Sequence, residues 1–190
     1  MSSLYSDPPF LRGSSLLNGE VIESDGIGPV AGRQIVGSIK VFQDVNPSTK
    51  QLLSDRLVFC VAARYKGSEV ADASTVAGSI YLFDTSSPLE NFSTLATATN
   101  LTAGLAYGVL DEYLTGTLRV NDIVWLVLKG PTQIKQTAVA IAVGAAVQAS
   151  ATGGSMAVYS SGTVIGQQIS GAATAASVGL VRVNASSTYC

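Results

Sequence analysis

The 190-residue sequence contains no histidine. Histidine is the commonest general base and the commonest zinc ligand, so its absence excludes Ser-His-Asp and Cys-His catalysis in their usual form. Asp111 and Glu112 are adjacent acidic residues, but neighbours on a strand point to opposite faces, and we expect a solvated turn there rather than an acid/base site. The expected protein is not an enzyme and has no catalytic residue, metal or cofactor.

Charge is also scarce. Charged residues make up 13% of the chain, against about 25% in a typical domain. The 11 basic and 13 acidic residues are dispersed and give a net charge of −2, so no basic footprint for nucleic acid or anionic lipid exists. Ser, Thr, Ala and Gly must therefore cover much of the surface, which suits packing against other proteins. Neither nucleic acid nor a membrane is expected as a partner.

Long apolar runs are missing as well. The longest weakly polar stretch, residues 137–149, reaches about two-thirds of the ~20 residues that a membrane-spanning helix needs. The first residues, MSSLYSDPPFLRGSS, lack the basic and apolar regions of a secretory signal. We expect a chain that is made and assembled in a cytoplasm.

The two cysteines, Cys60 and Cys190, are too few for a disulfide framework or a zinc site. Cys60 lies in the apolar run LVFCVA and is predicted to be a small buried residue. Tyr189 and Cys190 belong to a C-terminal tail, residues 185–190, and are candidates for a contact between subunits. A reduced thiol without a partner is the alternative for Cys190.

Residues 1–32 are predicted to form an extended N-terminal arm, because three prolines and five glycines interrupt any regular period. The apolar residues of this arm are candidates for contact with a neighbouring protein, where such an arm would become ordered. They are Tyr5, Phe10, Leu11, Leu16 and Leu17. A terminus that contacts nothing is the alternative.

The body of the chain is predicted to be mainly β, a barrel or a sandwich, with residues 33–115 and 116–184 as two small β-domains if it is divided. Residues 34–44 and 52–63 are rich in β-branched and aromatic residues and flank a turn, which predicts a hairpin. Residues 78–84 predict a further strand. Short helices at residues 70–77 or 89–96 are alternatives to strand or loop. Turns about every ten residues separate short β-segments at residues 133–139, 145–149, 155–159, 163–170 and 177–183.

The strongest strand prediction covers residues 117–129. Both of its faces are apolar near the end, with Ile123, Trp125 and Val127 on one of them, so a second layer must cover it. That layer is either the first half of the chain or another subunit, and the three residues are candidates for subunit packing. Gly130 and Pro131 are expected to end the strand.

Residues 116–183 resemble capsid decoration, or cement, proteins of tailed bacteriophages. The resemblance lies in VNDIVWLVLKGP, VAIAVGAAVQASATGG, GTVIGQQIS and VGLVRV. It implies a homotrimer on the outer capsid surface of the virion that binds the major capsid protein, bridges its subunits with arms and so stabilises the shell. The alternative is another virion or surface component, such as a tail or fibre protein or a carbohydrate-binding module.

Overall fold

The structure of the chain is a computed structural model that describes residues 36–45, 52–137, 139–170 and 178–184. These residues form ten strands, one short α-helix and one turn of 3-10 helix at Ala73–Thr75. The elements are β1 Ile39–Val45, β2 Leu52–Tyr65, β3 Ile80–Phe83, β4 Asn91–Leu95, α1 Ala98–Thr102, β5 Tyr107–Leu110, β6 Ile123–Lys135, β7 Ala146–Ala149, β8 Met156–Val158, β9 Gly166–Gln168 and β10 Val178–Asn184. The predicted mainly β fold is confirmed. The predicted arm at residues 1–32 and the tail at residues 185–190 lie outside the described residues.

The first two strands form the predicted hairpin. β1 pairs antiparallel with β2, with Ile39 opposite Val61 and Val45 opposite Leu52. The pairing matches the β-branched and aromatic content of both segments, which suits a pleated and largely buried surface.

Five strands close into a first ring, in the order β2, β4, β3, β5, β6 and back to β2. β2 and β4 are parallel where Arg64 pairs with Asn91, and the other neighbours are antiparallel. Because β1 also pairs with β2, strand β2 has three partner strands, β1, β4 and β6.

A second ring uses the C-terminal half of β6, followed by β10, β9, β7 and β8. A bridge between Gln136 and Met156 brings β8 back to the chain directly after β6. Strand β6 is therefore common to both rings. The division of the chain near residue 116 stays a prediction.

The two faces of β6 are both buried, as predicted. Ile123, Trp125 and Val127 on one face and the alternate residues 124, 126 and 128 on the other are at most 3% exposed. The ring of Phe42 from β1 lies edge-on to the indole of Trp125, with centroids 5.0 Å apart. The first half of the same chain thus supplies the layer over Trp125.

Strand β6 is shifted relative to its prediction over residues 117–129. Before Ile123 the chain turns, with Asn121 at a φ of 77° and the Asp122 carboxylate accepting a hydrogen bond from the Arg119 N–H at 2.7 Å. This local turn competes with the strand, as short acidic side chains commonly do.

The expectation that Gly130 and Pro131 end the strand is wrong, because β6 continues to Lys135. β2 accompanies β6 only as far as the pair Phe59 and Lys129, and Pro131 pairs with Arg182 of β10 alone. The missing N–H of Pro131 therefore breaks no ladder on the β2 side, which is the edge position where proline is tolerated.

Three further predictions are settled by the strand bounds. Residues 133–135 end β6 rather than begin a new strand, and residues 91–95 form β4 rather than a helix. The alternative of a short helix within residues 70–77 is correct for Ala73–Thr75, where Asp72 accepts a hydrogen bond from the Ser74 N–H. The segments 145–149, 155–159 and 163–170 contain β7, β8 and β9 as predicted, and the predicted segment 177–183 overlaps β10, which ends one residue later at Asn184.

Gly130 is the residue at which β6 changes partner. Its φ is +117°, and a Cβ there would lie 2.6 Å from the Leu57 carbonyl oxygen and 2.9 Å from the Val58 Cα. Only glycine combines this dihedral with so close an approach of two backbones.

We predict that Gly130→Ala lowers the free energy of unfolding by more than about 3 kcal/mol, because backbone strain adds to a backbone clash. Gly116→Ala is the matched control, since Gly116 has a φ of +83° and nothing within 4 Å of the added Cβ. It is expected to cost about 1–2 kcal/mol from the dihedral alone. Urea unfolding measures both variants, and equal losses would contradict the close approach.

Phe42→Ala is expected to lower the free energy of unfolding by about 3–5 kcal/mol, because it empties the space beside Trp125. Ile39→Ala, three residues away on the opposite face of the same strand and exposed at 45%, is expected to cost below about 1 kcal/mol. Urea unfolding followed by circular dichroism compares the two. Similar costs would show that Phe42 does not cover Trp125.

Candidate functional site

A groove of about 720 Å³ crosses the outside of the sheet where β6 changes partner. Two cross-strand rows form its floor. One row joins Phe59, Lys129 and Asn184 of β2, β6 and β10. The other joins Pro131, Arg182, Gln167 and Ala146 of β6, β10, β9 and β7. Because directly paired residues share a face of the sheet, these side chains all point into one groove.

Exposed apolar side chains lie at both ends of the groove, at β2 and at β9. Leu57 lies two residues before Phe59 on β2, and Val164 lies just before β9; both line the groove and are exposed. Exposed leucine and valine side chains on the wall of a concave surface gain free energy when a partner covers them, about 25 cal/mol for each Å² buried.

The charged residues in the lining are both cations. The Lys129 ammonium lies 5.8 Å from the centre of the Phe59 ring, which is cation–π distance. Asn184 is directly opposite Lys129, and Arg182 is two residues away on the same face of β10, so the two cations are diagonal neighbours about 7–8 Å apart at Cα. No lining residue is acidic.

The groove has the groups of a binding site. Its lining combines apolar side chains, two cations and the amides of Gln167 and Asn184. This set can hold an extended peptide segment that carries apolar and acidic side chains, since exposed apolar side chains and cations line the same groove.

The predicted contact residues of the arm, Tyr5, Phe10, Leu11, Leu16 and Leu17, lie outside the described residues. So do Tyr189 and Cys190 of the tail. The tail follows directly on Asn184, which lines the groove.

The predicted subunit-packing residues need a correction. Ile123, Trp125 and Val127 are at most 1% exposed within the single chain. Strand β2 pairs with this part of β6, and Phe42 packs on Trp125. The chain itself covers these side chains and leaves none of their surface for a neighbouring subunit.

The prediction of a solvated turn at the acidic pair Asp111 and Glu112 is only partly correct. Residues 112–113 form the expected turn, but Asp111 is 1% exposed rather than solvated. Its N–H donates to the Trp125 carbonyl oxygen at 3.2 Å, which places it beside the core, and its carboxylate accepts from the Tyr113 N–H at 3.0 Å. Hydrogen bonding to the backbone is the usual way in which a buried carboxylate is accommodated.

Cys60 is a free, buried cysteine, as predicted. Burial raises the pKa of its thiol well above the ordinary value, and the negative charge of Asp111 raises it further. The thiol therefore stays neutral and unreactive at physiological pH.

Within residues 36–45, 52–137, 139–170 and 178–184, no three His, Cys, Asp or Glu side chains are grouped so that they could hold a metal ion. No helix in the same part of the chain has the length and apolar character to cross a membrane.

The groove was not among the sequence predictions. Its cations do leave a trace in the sequence, because Lys129 and Arg182 interrupt the otherwise apolar strands IVWLVLK and VGLVRV. That pattern predicts two solvent-facing positions. It does not reveal that β6 and β10 are paired in the register that makes the two cations neighbours.

No known protein family matches this chain, and no curated protein does. Among solved structures, the chain is similar to the N base of head fibre gp8.5 from bacteriophage phi29, with 15% sequence identity and a TM-score of 0.43. The similarity covers 67% of this chain and 94% of that one. An identity and a TM-score this low assign neither a fold nor a function to the chain.

In a Cys190→Ser variant, we predict that Cys60 reacts with a thiol reagent such as DTNB only as fast as the protein unfolds. The cause is that its thiol is buried and its pKa is raised. The thiol count in native buffer at pH 8, compared with the count in 6 M guanidinium, checks this. One equivalent that reacts within seconds in native buffer would contradict the burial.

Proposed function

We propose that this chain is a structural protein of a bacteriophage virion that binds the outer surface of the assembled capsid and bridges major capsid subunits. The likeness of residues 116–183 to decoration proteins supports the phage setting. The structural observation that carries the proposal is a second exposed apolar surface, separate from the groove.

This second surface, the valine end, consists of Val139 and Val178, which are 61% and 43% exposed. Val139 lies in the loop between β6 and β7. Val178 is the first residue of β10 and pairs with Lys135, the last residue of β6. The amide of Gln136 donates to the Val139 carbonyl oxygen at 2.6 Å, which holds the loop against this end of the ring.

The valine end and the groove lie at opposite ends of β10. Val178 begins the strand, and Asn184 in the groove ends it. Six steps along a strand correspond to about 20 Å. A protein that bridges two neighbours needs two such separated surfaces, and both surfaces here carry exposed apolar side chains.

Binding at such surfaces stabilises a shell by mass action. A protein that binds the assembled shell and not the free subunits lowers the free energy of the shell by its binding free energy. Each contact can be weak, because a shell offers many equivalent sites and a bridging molecule engages two of them at once.

The proposed role is not enzymatic. The sequence contains no histidine, and the Asp111 carboxylate accepts a backbone hydrogen bond beside the core instead of facing a cleft. A homotrimer at the capsid surface, without nucleic acid or membrane as partner, belongs to the same proposal and is checked by the mass of the purified protein in solution.

The double variant Val139→Asp, Val178→Asp is expected to bind expanded phage shells at least tenfold more weakly than the unchanged protein. Two valines that a partner would bury are lost, and about 1.4 kcal/mol already corresponds to tenfold in affinity. Co-sedimentation with shells measures binding, and the melting temperature of the shells with and without the protein measures stabilisation.

Val120→Asp is the matched control, because Val120 is 41% exposed in a turn before β6. It is expected to bind shells as the unchanged protein does. If the unchanged protein neither joins shells nor raises their melting temperature, the proposed function fails. Selective binding in a glycan screen would instead support a carbohydrate-binding module.

A further inference from the structure

We propose that the groove binds residues 20–25 of the same chain, the acidic segment EVIESD. This inference bears on the proposed role at the capsid, because a groove filled by the chain's own segment presents that segment, and not the bare floor, to a neighbouring subunit. It starts from Lys129 and Arg182, which are neighbours on the groove floor and have no salt bridge with any described residue. Two adjacent cations repel each other, so a ligand with two carboxylates is stabilised by electrostatic attraction to both cations.

The spacing of charges in this segment fits the spacing of the cations. Glu23 and Asp25 are two residues apart, so on an extended chain their side chains point the same way at a distance of about 7 Å. The diagonal between Lys129 and Arg182 is about 7–8 Å by their register. On such an extended chain Val21 is on the same side as Glu23 and Asp25, and it would contact the exposed Val164 at the β9 end of the groove.

No other stretch of the sequence offers this combination. Glu20, Glu23 and Asp25 lie within six residues, and no basic residue occurs between Arg12 and Arg33. The tail at residues 185–190 begins at the groove wall, but its sequence ASSTYC has no acidic side chain.

The segment is close enough to reach its own groove. The Gly37 N–H donates to the Ala62 carbonyl oxygen at 2.8 Å, and Leu57 lies five residues back along β2, which is about 17 Å. The ten residues 26–35 span up to about 35 Å. A short, glycine-containing connection gives an effective concentration in the millimolar range, which favours the same chain over a second copy.

Disulfide trapping in the full-length protein tests this proposal. In a Cys190→Ser background, Val21→Cys is combined with Val164→Cys, and mild oxidation is followed by non-reducing electrophoresis and intact mass. We expect an intramolecular disulfide in most of the monomer. The matched control combines Val21→Cys with Val120→Cys, which is equally exposed and outside the groove, and is expected to react at least tenfold more slowly.

Charge reversal distinguishes binding from chance encounter. Lys129→Glu with Arg182→Glu is expected to slow trapping at least tenfold, and adding Glu23→Lys with Asp25→Lys is expected to restore it. High salt should slow the reaction of the original pair, because salt screens exposed charges.

Four results would overturn the proposal. They are equal rates for the groove pair and the control pair, rates that do not change on charge reversal, disulfides mainly between two chains, and a faster disulfide in a separate variant that has Val164→Cys, keeps the native Cys190 and keeps Val21. The third result assigns the groove to a second copy and the fourth to the tail. Because shells are absent from this experiment, its outcome and that of the shell-binding test are separate.

Discussion

Strand β6 has two apolar faces and two sets of partner strands, and the other elements are arranged so that both faces are buried and both halves are paired. A strand with both faces apolar must be covered twice, since either face left in water would cost several kcal/mol. Small residues make this possible. Ala62 pairs with Trp125, and the Gly108 backbone lies against Leu126 so closely that a Cβ would be 2.9 Å from the leucine Cβ. Large side chains on β6 therefore face small ones on its neighbours, which is how a core reaches its normal packing density.

The change of partner at Gly130 follows from the same strand. The N-terminal half of β6 pairs with β2 and β5, and the C-terminal half pairs with β10. Where β2 departs, the exposed Leu57 and the half-buried Phe59 line the groove beside β6. The groove is thus a consequence of how the two rings are joined, and the cations on its floor occupy outward positions of strands whose other faces are buried.

Local patterns predicted the strands better than their arrangement. The hairpin, the strand at Ile80–Phe83 and the short strands β7 to β10 follow from alternation and turn residues near each segment. The end of β6 could not be predicted from Pro131, because the effect of a proline depends on whether a neighbour needs its N–H, and that neighbour comes from β2, far away in the sequence. The solvated turn expected at Asp111 fails for a related reason, since the burial of Asp111 results from its contact with Trp125. The groove depends on the register of five strands, and no local pattern encodes the register between Phe59, Lys129 and Arg182.

The shared strand also determines the order in which the molecule can be completed during synthesis. The partners of the first half of β6, β2 and β5, precede it in the chain, whereas β10 is synthesised more than 40 residues after β6. In the interval the second half of β6 has an open edge, the kind of edge on which foreign strands add and aggregates begin. Lys129 and Lys135 lie at the two ends of this edge, and lysine is a residue that discourages such pairing. Lys129, which lines the groove in the complete protein, therefore also discourages other strands from pairing with the open edge of β6 during synthesis.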